Sequence, residues 1–122
     1  MKHSAGFLAI VHDAKTRIRQ MNVEQYAAFQ AAGTPHFLID TREESEFAAG
    51  HAAGSIHLSK GIIERDIEAL VPDHDTTLVL YCGGGFRSAL AADNLQKMGY
   101  TNCISLDGGW RAWTERNLPV EK

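Results

Sequence analysis

The chain has 122 residues, of which 44% are hydrophobic and 22% are charged, and its formal net charge at pH 7 is −3. This length suits one domain and is too short for two. The small negative charge gives no electrostatic reason to expect nucleic acid or an anionic membrane as a partner. The two cysteines, Cys82 and Cys103, are too few for a disulfide framework and lack metal-ligand spacing, so we predict no metal and no cofactor.

The amino-terminal segment contains a short apolar run, 7–11, which His12 and Asp13 interrupt. No small-residue cleavage site follows, so the segment is not typical of a signal peptide. An unpaired cysteine also suits a reducing compartment. We therefore expect a cytoplasmic protein.

Apolar periodicity predicts the elements of the first half of the chain. Ser4 can cap the first helix, and Asn22 with Gln25 resembles a capping box for the second. The continuous apolar run at 36–39 is typical of a strand buried on both faces. In chain order the predicted elements are a helix over 7–18, an extended segment over 18–21, a helix over 22–32, a strand over 36–39, a helix over 43–49 and a weak strand over 55–58.

The second half continues the alternation of helices and strands. Pro72 ends one helix, Gly99 ends another, and Pro119 follows the last. The predicted elements are a helix over 62–71, a strand over 77–81, a helix from 86 to 98, a strand over 102–106 and a last helix that carries Trp110 and Trp113.

This alternation of strands and helices requires crossover connections and predicts an α/β domain with a mainly parallel sheet covered on both faces. Ligands of such sheets bind at the carboxyl ends of the strands. Asp40, Cys82 and the turn 107–109 each end or follow a predicted strand, so their loops are expected to converge on one rim.

The most informative motif joins a strand to a helix through glycines. The strand over 77–81 runs directly into Cys82, three glycines follow, and Phe86 and Arg87 open the next helix. Glycines can reach positive φ and curl their amides inward, which makes an anion-binding nest. Together with the helix dipole and Arg87, the nest favours the Cys82 thiolate, a nucleophile. The same nest could hold the outer sulfur of a persulfide.

Other interpretations of this loop fit less well. A nucleotide-binding P-loop requires a lysine that is absent here, and the dinucleotide fingerprint fails at its last glycine. An ordinary turn with a buried cysteine does not require three glycines, which carry a penalty in backbone entropy.

With this motif the chain resembles the single-domain rhodaneses, or thiosulfate sulfurtransferases. Strand, Cys-x-x-Gly-x-Arg-Ser and helix is the active-site pattern of that family. Three further segments agree with the family in order and spacing, and the resemblance runs from about Ile18 to Leu118. They are Asp40-Thr41-Arg42-Glu43 with Glu46-Phe47, the segment 50–58, and Leu106-Asp107-Gly108-Gly109-Trp110.

The resemblance implies a rhodanese-like fold with a five-stranded, mainly parallel sheet. It implies a domain over 18–122, preceded by an N-terminal helical extension over 1–17 that we expect to cover an edge of the sheet. Proline is common in the family where Ala53 and Ser59 stand, and neither position touches the predicted chemistry.

The resemblance also implies a two-step sulfur transfer. Cys82 takes a sulfane sulfur from thiosulfate or a related donor, becomes a persulfide, and gives the sulfur to cyanide or a thiol, which could be a protein thiol. No nucleic acid or membrane partner is expected. Arg87 would steer the anion and brace the loop. The residues implied to bind the substrate or the persulfide are Gly83, Gly84, Gly85, Phe86, Arg87 and Ser88.

Two other functions compete with sulfur transfer, and the first is that of a phosphatase or arsenate reductase. Cysteine phosphatases, including cell-cycle phosphatases that share the rhodanese fold, use Cys-x5-Arg, whereas the spacing from Cys82 to Arg87 is Cys-x4-Arg. The shorter loop makes a smaller nest, which fits a sulfur atom better than a tetrahedral phosphate. The alternative function is a non-catalytic binding, regulatory or persulfide-sensing module of rhodanese type, although such modules often lack the cysteine.

Four other residues are given structural roles. Asp40 and Arg42 are expected to brace loops through hydrogen bonds or an ion pair, and His51 to donate a hydrogen bond within its turn. Cys103 lies in a buried-strand pattern and is expected to be an inert core residue.

Overall fold

The computed structural model of the chain describes residues 3–122. The helices are α1 (Ala5–Lys15), α2 (Val23–Ala31), α3 (Glu44–Ala49), α4 (Ile63–Leu70), α5 (Phe86–Lys97) and α6 (Gly109–Glu115). The strands are β1 (Arg19–Met21), β2 (Phe37–Asp40), β3 (His51–Ala52), β4 (Ile56–His57), β5 (Leu78–Tyr81), β6 (Cys103–Leu106) and β7 (Val120–Glu121). No helix among these combines the length and apolar character needed to cross a bilayer.

The main sheet has five parallel strands in the order β1-β6-β5-β2-β4. The predicted five-stranded α/β fold is therefore confirmed. Strand β5 lies at the centre, and all four of its residues are buried. Leu78 and Leu80 face the core beneath α4 and α5, whereas Val79 and Tyr81 face the core beneath α2 and α6. This alternation explains the continuous apolar run, because a strand covered on both faces has no solvent side.

Capping residues fix the starts of the first two helices. The Phe7 amide donates to Ser4 Oγ at 3.2 Å. Asn22 and Gln25 exchange side-chain and backbone hydrogen bonds, both at 2.8 Å, which confirms the capping box. Helix α1 ends at Lys15 rather than at Ile18, because Arg17 leaves the helix to bond Asp93 on α5.

The extra N-terminal helix is present, but its expected position at a sheet edge was wrong. Helix α1 packs against α5, with Val11 and Ala14 buried. The Arg17–Asp93 ion pair, at 2.8 Å, ties the end of α1 to the same helix. The division into an extension over 1–17 and a domain over 18–122 stays a prediction, and residues 1 and 2 lie outside the described residues.

A second, two-stranded sheet was not predicted. Strands β3 and β7 pair antiparallel, with His51 opposite Glu121 and Ala52 opposite Val120. A further hydrogen bond extends this pairing, since the Pro119 carbonyl accepts from the Ala53 amide at 2.9 Å. Strands of two residues have no readable periodicity, and their partners lie far apart in sequence, so this sheet leaves no local signal.

A buried ion pair braces the carboxyl end of β2. Asp40 is fully buried and Arg42 is 3% exposed, and their side chains meet at 2.7 Å. Tyr81 donates its hydroxyl to the same Asp40 carboxylate at 2.7 Å, and burial raises the pKa of that tyrosine. Arg42 also donates to the Gly50 carbonyl at 2.7 Å and stacks 4.6 Å from the Trp110 ring. The predicted bracing role of Asp40 and Arg42 is confirmed.

We expect Asp40→Ala to lower the free energy of unfolding by about 3–5 kcal/mol, because it leaves the Arg42 charge buried without its partner. Urea denaturation measures this change. Asp66→Ala is the control, since it removes an exposed ion pair with Arg65 and is expected to leave the urea midpoint almost unchanged. Equal shifts in the two variants would contradict the bracing role.

Candidate active site

Strand β5 delivers Cys82 to the floor of a cleft. The side chain is 1% exposed, yet it forms part of the lining of a cleft of about 970 Å³ at the carboxyl end of the sheet. The Gly85 amide donates to Cys82 Sγ at 3.1 Å. Gly85 has φ +105 and ψ 3, the left-handed conformation that favours glycine, and it is the N-cap of α5. The chain therefore curls back over the sulfur before the helix begins.

The first turn of α6 holds the carbonyls of the cysteine loop, which we define as residues 82–87. The Trp110 amide donates to the Cys82 carbonyl at 2.8 Å, and the Arg111 amide donates to the Gly83 carbonyl at 3.1 Å. These are amides that a helix N-terminus leaves without intrahelical partners. The Cys82 and Gly83 carbonyls are therefore committed to that helix.

The loop's amides, in contrast, remain available to a ligand. Within residues 3–122, only the Gly85 amide bonds the cysteine sulfur, so the predicted ring of amides around Sγ is reduced to one direct contact. The other amides donate to no partner among the described residues and belong to Gly83, Gly84, Phe86, Arg87 and Ser88. All of these residues except Ser88 line the cleft. Such amides suit an anionic group placed just beyond Cys82 Sγ.

Gly109 allows the close approach between α6 and the loop. It has φ +46, and a Cβ built on it would lie 2.3 Å from the Cys82 carbonyl oxygen. No side chain fits at that distance. In the sequence, Gly108 and Gly109 were recognised only as part of a family motif. The structure shows why position 109 requires glycine, namely its close approach to the Cys82 carbonyl.

A pair of buried serines supports the sulfur from the other side. Ser88 is fully buried, with its Oγ 3.6 Å from Cys82 Sγ and 2.8 Å from Ser105 Oγ. Ser105 was not among the predicted site residues. The sequence does hold a sign of this role, because Ser105 is the one hydroxyl in the otherwise apolar strand β6. A hydroxyl in a buried strand requires a hydrogen-bond partner.

Arg87 is held by a carboxylate rather than left free in the loop. Its guanidinium meets Glu46 of α3 at 2.9 Å and 3.3 Å. The hydrogen bonds that Arg87 donates to Glu46 raise the pKa of Arg87 and lower the pKa of Glu46. The pair braces the loop as predicted, but the expected steering of anions by Arg87 is opposed by the adjacent Glu46 charge. Glu46 belongs to one of the family motifs, but its contact with Arg87 was not predicted.

An aromatic wall, which we define as His3, Phe7 and Phe86, forms one side of the cleft. Ring centroids lie 4.8 Å apart for His3 and Phe86 and 6.2 Å apart for Phe7 and Phe86. Two of these rings come from the N-terminal segment, which was not predicted to reach the site. Arg111 and Glu115 of α6 line another part of the cleft.

Four of the other predicted residues lie away from the cysteine sulfur. Asp40 sits beneath the rim in its ion pair, and Trp113 is core, with its indole N–H donating to Pro119. His51 bonds the Phe47 carbonyl at 2.9 Å, as its structural role predicted. Cys103 is 1% exposed, and burial raises the pKa of its thiol to about 11, which agrees with an inert core residue.

The fold and this strand–cysteine loop–helix site define a rhodanese-like domain. The family model of the rhodanese-like domain matches residues 22–116. The chain therefore belongs to the rhodanese family.

Solved structures of three proteins show the likeness over the whole fold. A Rhodopseudomonas palustris protein of unknown function, named as a possible tyrosine phosphatase, is 27% identical, with 99% of this chain and 98% of that one covered and a TM-score of 0.85. The human single-domain sulfurtransferase TSTD1 is 25% identical, with 80% and 96% covered and a TM-score of 0.70. A thiosulfate sulfurtransferase from Pseudomonas aeruginosa is 23% identical, with 89% and 21% covered and a TM-score of 0.77, and shows the fold alone. The family match and the human sulfurtransferase neighbour support a sulfurtransferase-family protein.

We expect Gly109→Ala to destabilise the protein by about 1–3 kcal/mol, because the new methyl group overlaps the Cys82 carbonyl and strains a positive φ. Thermal or urea unfolding measures the loss. Gly6→Ala is the control, since a Cβ there meets nothing within 4 Å and the residue lies inside α1. Alanine at position 6 should stabilise slightly. A native-like stability for Gly109→Ala would show that the close approach is not required.

Proposed function

We propose that the protein is a thiosulfate sulfurtransferase-like enzyme that carries a sulfane sulfur as a persulfide on Cys82. The observation that supports this most directly is the position of Cys82 Sγ. It lies at the floor of an open cleft, with the Gly85 amide bonded to it. Four residues that line the cleft have amides without a partner among the described residues. That arrangement suits a nucleophile whose product is an anion one atom longer than itself.

The reaction proceeds in two displacements. The Cys82 thiolate attacks the sulfane sulfur of thiosulfate, and the bond between the two sulfur atoms of thiosulfate breaks. Sulfite leaves with the electron pair, and Cys82 keeps the sulfane sulfur as a persulfide anion. Cyanide or a thiolate then attacks the outer sulfur, so that thiocyanate or an acceptor persulfide departs and the Cys82 thiolate is restored.

The loop residues divide the work between them. Amides of Gly83, Gly84 and Phe86 would receive the outer sulfur, while the Gly85 amide holds the inner one. Fixed amides stabilise an anion without reorganising at the moment of reaction. Among the side chains, Ser88 positions the inner sulfur, Arg87 braces the loop through Glu46, and Phe86 forms a wall of the cleft.

Intact-mass measurement after thiosulfate treatment tests the proposal. We expect the native protein to gain the mass of one sulfur atom, and cyanide to remove it. Cys82→Ser should gain none, whereas Cys103→Ser should load as the native chain does, because Cys103 is buried and its thiol pKa is raised. Persistent loading or turnover by Cys82→Ser would end the proposal. A persulfide that no acceptor discharges would favour a sensing module instead.

Phosphatase activity, the possibility named for the Rhodopseudomonas relative, is the function to exclude. We expect no appreciable hydrolysis of an aryl phosphate by the native protein. The Cys-x4-Arg loop is one residue shorter than that of cysteine phosphatases, and Glu46 already occupies the Arg87 guanidinium. The measurement is the rise in absorbance as a coloured phenol is released from the aryl phosphate. Hydrolysis that Cys82→Ser abolishes would reverse the assignment.

A further inference from the structure

The cleft above Cys82 is large for a small inorganic anion. Its volume of about 970 Å³ lies near the upper end of the roughly 300–1,000 Å³ typical of pockets for organic ligands. Thiosulfate would contact the loop amides and leave the rest of the cleft to water. The remaining space lies beside the aromatic wall, which offers apolar surface to something attached to the transferred sulfur.

Helix α1 supplies Phe7 to this wall and is held firmly in place. The helix lies before residues 22–116, the part of the chain that matches the rhodanese-like domain. Its packing on α5 and the Arg17–Asp93 pair fix its position. The Phe7 and Phe86 rings meet edge to face with an interplanar angle of 64°. Lys15 Nζ lies 5.0 Å from the centre of the Phe86 ring. Both rings are half-buried and line the cleft, so each still offers surface to a further apolar group.

The charges around the cleft give little attraction to a dianion. Two arginines and two glutamates line it: Arg87, Arg111, Glu46 and Glu115. Glu46 pairs with Arg87 at 2.9 Å, so an incoming dianion competes with a carboxylate for that guanidinium. Among residues 3–122, Arg111 and Glu115 make no ion pair, and they offer one charge of each sign at the cleft.

We propose that helix α1 makes the cleft selective for organic sulfane-sulfur donors, in which an apolar group carries the transferred sulfur, and that Phe7 is the residue that determines this selectivity. The inference rests on the proposed function and names its donor class. The apolar group lies against Phe7 and Phe86 while the sulfane sulfur meets Cys82. The donor carries a single negative charge, which the loop amides receive.

The transfer of sulfur from such a donor conserves atoms, charge and electrons. With a thiosulfonate, R–SO₂–S⁻, the Cys82 thiolate forms a bond to the sulfane sulfur. The bond from that sulfur to the sulfonyl sulfur breaks, and its electron pair leaves with the sulfinate R–SO₂⁻. Cys82 retains the sulfur as a persulfide anion, so no further oxidant, reductant or proton is required.

A matched pair of donors tests the inference. Benzenethiosulfonate and methanethiosulfonate carry the same reactive group and the same charge. They differ only in the organic group R, which is phenyl in the first and methyl in the second. We expect the native protein to prefer the phenyl donor in kcat/KM by about tenfold, the scale of discrimination that apolar pockets give. Phe7→Ala should bring the ratio close to one. Ile10→Ala is the control, because Ile10 lies on α1 but is 54% exposed and outside this cleft.

The ratio between two donors does not depend on the fraction of folded protein, so instability of Phe7→Ala does not imitate the effect. Equal kcat/KM for the two donors in the native chain, or a preference that survives in Phe7→Ala, would overturn the inference. Calorimetric binding of benzenethiosulfonate to Cys82→Ser, with and without Phe7→Ala, separates this test from that of the proposed function. If neither thiosulfate nor the two thiosulfonates load Cys82, the proposed function fails. If thiosulfate loads Cys82 and neither thiosulfonate does, the inference fails and the proposed function stands. Loss of benzenethiosulfonate binding in the double variant supports the wall, and unchanged binding refutes it.

Discussion

Two hydrogen bonds from the first turn of α6 to the cysteine loop determine the rest of the site. The Trp110 and Arg111 amides bind the carbonyls of Cys82 and Gly83, so the peptide groups on either side of these contacts are held in one orientation. Because a carbonyl and the amide of the same peptide point in opposite directions, fixing these two carbonyls directs the Gly83 and Gly84 amides away from α6. The contact requires β5 and β6 to be neighbours in the sheet and Gly109 to lack a side chain.

In the proposed site, backbone groups of the cysteine loop rather than paired side-chain cations receive the anion. Arg87 is engaged by Glu46, and Arg42 is engaged by Asp40 beneath the rim. Both ion pairs hold loops in position, and their carboxylates offset part of the arginine charge. The anion would instead be stabilised by fixed amide dipoles and the N-terminus of α5, which do not have to move when charge develops. This division leaves the wider cleft free to select donors by shape and apolar contact.

The sequence allowed prediction of the features that local patterns record. The apolar run of β5, the capping box at Asn22 and the glycines after Cys82 each follow from rules that act over a few residues. They were enough to predict the sheet and to place Cys82 at its carboxyl end. The pairing of β3 with β7 and the docking of α1 on α5 depend on residues far apart in the chain. No local periodicity encodes them.

The candidate site shows the same limit at the level of side chains. Ser105 and Glu46 lie in elements that were predicted well, but their roles depend on which atoms of other elements they meet. Phe7 has the spacing of an ordinary amphipathic helix, and its place in the cleft follows only once α1 is packed. The conformation of Gly109 is likewise decided by the distance to Cys82, which the sequence does not contain.

Backbone amide NMR of the sulfur-loaded protein tests the central claim most directly. If the loop amides receive the outer sulfur, thiosulfate should move the resonances of Gly83, Gly84 and Phe86 downfield, and cyanide should return them to their original positions. The Trp110 and Arg111 amides should stay in place, since they remain bound to the loop carbonyls. Loading that leaves the loop amides unchanged, or that shifts Trp110 and Arg111 instead, would contradict the account.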